Sequence, residues 1–241
     1  MYTLAPNSIY ASSFPNHVAP AAARLSFEPD VLLVPAGQSR TVSLLLHPPT
    51  GLDASRLPLW SGYITVNASD GSVLSLPYQG LAGSLRNATV LARNQTWITT
   101  SRDVKAEARS PPDALFVLPA PNTASDSPSL PTLVVQLALG SRLLRAHVIA
   151  HRPAHTHRPN SLFAAASAHG QSIGQLDEFP SRWNPRGKRV FPWNGKLHNG
   201  KWAPPGRYRI VVRALRIFGD ENVDADWDVS QTLPFAISYG D

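Results

Sequence analysis

Prolines punctuate this chain at intervals too short for long helices. Its 23 prolines outnumber its 15 glycines, and most fall in turns between short apolar runs. Proline removes a backbone donor and ends a helix, so the spacing leaves strands and turns as the main building blocks. The runs themselves alternate. Residues 40–47 (RTVSLLLH) place Val42, Leu44 and Leu46 on one face. Residues 63–67 (YITVN) and 72–76 (SVLSL) alternate in the same way and flank Ala68-Ser69-Asp70-Gly71, a polar turn ending in glycine. This predicts a hairpin over 60–80.

A second β-rich set follows. Residues 114–118, 133–139 and 143–149 are apolar and of strand length, and Gly140-Ser141 reads as a turn between the last two. In RYRIVVRALRIF, residues 207–218, Tyr208, Ile210, Val212 and Ala214 share a face, with Arg209 and Arg213 opposite. Residues 228–239 predict a final strand broken at Pro234. Many short strands with regular turn signals predict an all-β chain of two immunoglobulin/fibronectin type III-like antiparallel sandwich domains. The glycine-rich link at residues 79–84 places the junction after residue 83, giving domains over 1–83 and 84–241. No period of 20–50 residues repeats, which excludes a solenoid.

Charge narrows the partners. The formal net charge is +6, but Lys and Arg are dispersed apart from one cluster at Arg182, Arg186, Lys188 and Arg189. Acids gather at Asp220, Glu221, Asp224, Asp226 and Asp228. No basic run is interleaved with stacking aromatics, so a nucleic-acid partner is not expected. No stretch reaches the ~20 apolar residues of a membrane span, and the opening residues lack the basic and apolar regions of a signal peptide. Without cysteine, neither disulfides nor thiol chemistry enter.

Five features invite chemistry. Gly170-Gln171-Ser172-Ile173-Gly174 matches G-x-S-x-G and follows His169. A nucleophile elbow needs a strand before the serine and a helix after it. Here Pro180 arrives too soon for that helix, so Ser172 is not expected to be a nucleophile. His151, His155 and His157 could ligate a metal, but Arg152 and Arg158 would repel a dication, and the reading is a solvated loop. Asp224, Asp226 and Asp228 open a D-x-D-x-D pattern, but Val229 and Phe235 stand where an EF-hand needs Gly and Glu. The expectation is a polar turn with carboxylates facing water. Trp193 and Trp202 flank Asn194-Gly195 and Asn199-Gly200 and read as a packed cross-strand pair rather than a sugar platform. Asn67, Asn87 and Asn94 head N-x-[ST] sequons and are glycosylation candidates. No residue is assigned a catalytic, cofactor-binding or metal-binding role.

Taken in order, several segments resemble a known family. Pro35-Ala36-Gly37, His47-Pro48-Pro49, the run LPLWSGYI at 57–64 and the run LPYQGLAG at 76–83 are similar to the fibronectin type III-like domain that follows the catalytic domain of large subtilisin-like serine proteases. Lactocepin, the complement-cleaving cell-envelope peptidases and secreted subtilases of filamentous fungi are of this kind. Trp193-Asn194-Gly195, the run PPGRY at 204–208, the run VRALRIFGD at 212–220 and Asp226-Trp227-Asp228 resemble the C-terminal end of the same proteases. The resemblance implies a non-catalytic accessory region that braces a subtilisin-like catalytic domain and positions protein substrates, outside the cell or at its envelope. It departs from the family in lacking the catalytic domain, and the opening residues read as the middle of the first domain, whose early strands are expected upstream. The alternative is a stand-alone extracellular adhesion or carbohydrate-binding sandwich.

Overall fold

A computed structural model of the chain describes residues 1–100, 107–123, 130–151 and 171–240. The described chain is all-β: fourteen strands, three single-turn 3-10 segments and the multiple sheets of Fn3/Ig-like β-sandwich domains. It divides into two compact units, Met1–Ala88 and Thr89–Asp241.

In the first unit, β1 (Arg24–Glu28) pairs antiparallel with β2 (Ser43–His47), and β3 (Leu59–Asn67) with β4 (Val73–Leu81). The second pair is the hairpin read from the sequence, turned at Ala68–Ser72, where Gly71 takes φ +85 and the Asp70 carboxylate accepts from the Ser72 amide. Its register sets Trp60 opposite Gly80 and Gly62 opposite Tyr78. Each glycine leaves room for the ring across the ladder, and the two rings meet with centroids 5.9 Å apart. The same face continues through Ile64, Val66, Leu74 and Leu76, of which Ile64 alone is buried. On the other ladder, Leu25 opposes Leu46 and Phe27 opposes Leu44. The opening segment is tied to residues 56–59: the Met1 amino group donates to the Leu59 carbonyl, Thr3 Oγ1 to the Leu57 carbonyl and Arg56 Nε to the Leu4 carbonyl. Arg56 also stacks 4.2 Å from the centroid of the Tyr2 ring.

The second unit is a sandwich. One sheet runs β10 (Ser181–Asn184), β8 (Ser141–Ala150), β12 (Gly206–Leu215), β14 (Phe235–Tyr239), β6 (Ala114–Leu118), with β9 (Ser172–Gln175) beside β8 and β13 (Trp227–Gln231) beside β12. The other runs β11 (Gly187–Pro192), β7 (Thr132–Leu137), β5 (Thr96–Thr99). The alternation read at 207–218 holds: Tyr208, Ile210, Val212 and Ala214 all point into the core against Leu133, Val135 and Leu137 of β7. Trp193, Phe116 and Phe235 fill one end, with Trp193 and Phe116 each edge-on to Phe235. One pairing departs from the antiparallel expectation. β14 runs parallel to β6, with Phe235 beside Ala114 and Tyr239 beside Leu118. The two strands lie far apart in sequence, so no tight turn forces them antiparallel.

Candidate functional site

Ser172 is the second-to-none test of the hydrolase motif, and its setting is local. It opens β9, which pairs with β8, and among the described residues its hydroxyl engages the Gly174 backbone, at 3.3 Å from the amide and 3.5 Å from the carbonyl. The next element is not a helix but the turn at Leu176–Phe179 leading into β10. A serine within a paired strand is not raised on a strained strand-to-helix turn. Gly170 and His169 lie outside the described residues, as do His155 and His157, so the histidine cluster is represented only by half-buried His151.

The aspartates correct the sequence reading. Asp224 does face water, paired with Arg213 at 2.6 Å. Asp226 and Asp228, however, are only 8% and 6% exposed. Asp226 Oδ2 accepts from the Asp220 amide at 2.9 Å, closing the 220–226 loop. Asp228 Oδ2 accepts from the Val90 and Leu91 amides at 2.6 and 3.2 Å, and Oδ1 accepts from Arg216 Nε at 2.9 Å. Its carboxylate thus fastens the segment entering the sandwich to β13. The donors are 137–138 residues away in sequence, so spacing within D-x-D-x-D carries no trace of them. Among the described residues no group of three metal-ligating side chains gathers.

The two tryptophans do not form the expected pair. Trp193 is buried in the core, its indole N–H donating to the Lys196 carbonyl at 2.7 Å and its ring edge-on to Tyr208. Trp202 instead bridges Lys196 across a short turn and is half-buried.

A charged cluster that sequence reasoning missed lies on the face of the larger sheet turned away from the core. β8 and β12 place Arg145 opposite Arg213, and both guanidiniums lie 4.9 Å from the centroid of the Trp227 ring. Glu221 and Asp224 pair with the two arginines. His147 sits one alternation further along β8. Burial, and then the Arg213 and Arg145 charges, hold its imidazole below the ordinary histidine value. Alternation in residues 207–218 placed Arg213 on the outward face but carried no sign of Arg145 or of the ring between the cations. Each arginine carries one carboxylate partner, and the arrangement staples sheet to loop.

The three sequon asparagines, Asn67, Asn87 and Asn94, are all exposed. Asn67 ends β3 at the hairpin turn.

Comparison with known families bears on the first unit. Residues 5–79 match the Fn3-like domain. This is the fibronectin type III-like domain found in subtilisin-like proteases, and its span includes both antiparallel ladders of the first unit up to Gln79 in β4. No curated protein matches the chain. The Fn3-like match supports an accessory β-sandwich role for the first unit. Among the described residues no helix is long and apolar enough to cross a membrane.

Proposed function

We propose that this chain is the non-catalytic accessory region of a subtilisin-like serine endopeptidase, acting outside the cell or at its envelope. The Fn3-like domain and the sandwich that follows brace the catalytic domain and help position protein substrates. Domain limits of 1–83 and 84–241 are part of this reading, as is glycosylation at Asn67, Asn87 and Asn94. The observation that carries it is the Fn3-like match over residues 5–79. It is supported by the β3–β4 ladder within that match, which leaves Val66, Leu74 and Leu76 exposed along one face. An exposed apolar row of this kind is what a packed neighbouring domain covers. The setting of Ser172 adds that the motif most suggestive of catalysis in the chain lacks the turn such chemistry needs.

The test is an immunoblot against residues 200–241 on cellular and extracellular fractions, before and after a fluorophosphonate probe. A band much larger than 26.1 kDa that takes the probe is expected. A band of the chain's own mass that never takes the probe would overturn the accessory reading in favour of a free-standing adhesion or carbohydrate-binding sandwich.

A further inference from the structure

We propose that one end of the second unit, where β8 starts, β10 finishes and β12 finishes, is a binding site for an anionic glycan. Trp183 and Phe218 are its stacking platforms, and Arg142 is the group that takes a carboxylate or sulfate. The inference is independent of the accessory role above, since it concerns a different unit and a different ligand.

The place is an open groove of ≈ 730 Å³ whose lining includes Arg142, Trp183, Asn184, Pro185, Ile217 and Phe218. Trp183 is 79% exposed and Phe218 75% exposed. Of the chain's six tryptophans, Trp183 is the one that faces water. Both rings are also held on left-handed backbone, Trp183 at φ +56 and Phe218 at φ +60. Large side chains rarely adopt that region, and such residues persist only where their surroundings fix them, most often at ligand sites. The surroundings here do fix them. Ser181 Oγ donates to Asn184 Oδ1 and Asn184 Nδ2 donates to the Ser181 carbonyl, both at 3.0 Å, bracing the kinked stretch of β10 that carries Trp183. The Gly219 amide donates to the Arg216 carbonyl at 3.0 Å, closing the turn that carries Phe218. A kinked edge strand and a separate turn thus spend conformational energy to hold aromatic rings in water beside one groove, and burial does not explain either.

The polar groups point to the ligand's charge. Arg142 Nη2 donates to the Gly219 carbonyl at 3.1 Å, which holds the guanidinium against the Phe218 turn. Arg142 forms no ion pair among the described residues, so its remaining N–H groups are available as a fork for a carboxylate or sulfate. Arg182 and Arg186 stand on either side of Trp183 in sequence, exposed and likewise outside the ion pairs of the described residues. A sugar ring offers apolar C–H faces and a polar rim, matching exposed aromatic plates with hydrogen-bonding groups between them. An extended peptide fits less well. It would add to the sheet at its edge strand, β10, and the left-handed backbone at Trp183 interrupts that edge.

Affinity electrophoresis of the 241-residue chain tests this in gels carrying polygalacturonate, heparin, hydroxyethyl cellulose or poly-glutamate. Retardation by polygalacturonate or heparin, and not by the neutral polymer, is expected. It should persist at about 0.3 M salt, where exposed charges alone are largely screened. Trp183→Ala and Phe218→Ala should each weaken it about tenfold, the scale of one lost stacking contact. Arg142→Gln should remove the preference for the charged polymer. Trp183→Gly separates binding from folding: it should melt no lower than the parent, because glycine tolerates this backbone, and still fail to bind. Retardation by none of the polymers, equal retardation of the Trp183 variants, or equal retardation by the neutral polymer or by poly-glutamate would each overturn the proposal.

Discussion

Replacing Asp228 should unfasten the sandwich, although the sequence presents it as one more acid in a polar loop. Its carboxylate is the acceptor for two buried amides, those of Val90 and Leu91, whose side chains are part of the core. In Asp228→Ala both amides lose their acceptor in a site that water cannot easily enter. Each stranded amide costs about 1–3 kcal/mol. The lost pair with Arg216 adds little, because that guanidinium is about one-third exposed. A total near 4 kcal/mol follows, with roughly 2–4 °C of melting temperature per kcal/mol in a unit of this size, so the transition should fall by about 8–16 °C. Asp228→Asn can keep its carbonyl oxygen on both amides, which share Oδ2, and gives up only the Arg216 contact, so it should lose well under half as much. Asp224→Ala is the control: its partner is Arg213, its side chain is 74% exposed, and less than about 1 kcal/mol is at stake. The assay is thermal unfolding followed by tryptophan fluorescence, in which Trp97 and Trp227 report the second unit. Equal shifts for Asp228→Ala and Asp224→Ala would refute the argument. So would a large calcium-dependent rise in the parent's melting point that Asp228→Ala abolishes, since that would make the carboxylate a metal ligand instead of an amide acceptor.

Other outcomes follow from particular contacts. A Cβ added at Gly80 would come within 2.5 Å of Trp60 Cε2, so Gly80→Ala should displace the indole and cost about 1–3 kcal/mol. The same change in a Trp60→Ala background should be nearly neutral, and a double-mutant cycle showing no coupling would remove the ring-over-glycine account. His147 has a folded pKa below its ordinary value of 6.5, so the unfolded chain binds its proton more readily. Its contribution is present above that value and is lost as pH falls through the folded pKa. Melting temperature should therefore drop on acidification below 6.5, and His147→Gln should flatten that part of the profile; an unchanged slope would exclude His147 as its source. Secreted from a glycosylating host, the chain should shift on gels by up to three glycans, with Asn67→Gln, Asn87→Gln and Asn94→Gln each removing one; absence of any shift after glycosidase treatment would show that the sites stay bare.

How far the sequence could be read depended on the range of each interaction. The hairpin of β3 and β4 was legible because alternation and a glycine turn act between neighbours. Its ring-over-glycine packing was not, because Trp60 and Gly80 meet only through the register. The inward face of β12 was legible for the same local reason. β5 and β11 were missed: Thr96–Thr99 is only four residues long, and Gly187–Pro192 is dominated by basic residues and proline. That no helix follows Ser172 was legible, since the early proline at 180 is a local signal. The Trp193–Trp202 pair could not, because both lie in a turn-rich stretch where burial depends on distant strands.

By itself the sequence determined the class of this protein: proline spacing forbids long helices, and period-two runs demand sheets. The tertiary structure alone decided which side chains are buried and which are displayed. Asp228 became a structural acceptor because the fold brings amides from the far end of the unit onto it. Trp183 and Phe218 became exposed platforms because a kink in β10 and the turn after β12 hold their backbones left-handed. Alternation is written between residues two apart, whereas these outcomes depend on partners and dihedral angles that only the closed sandwich imposes.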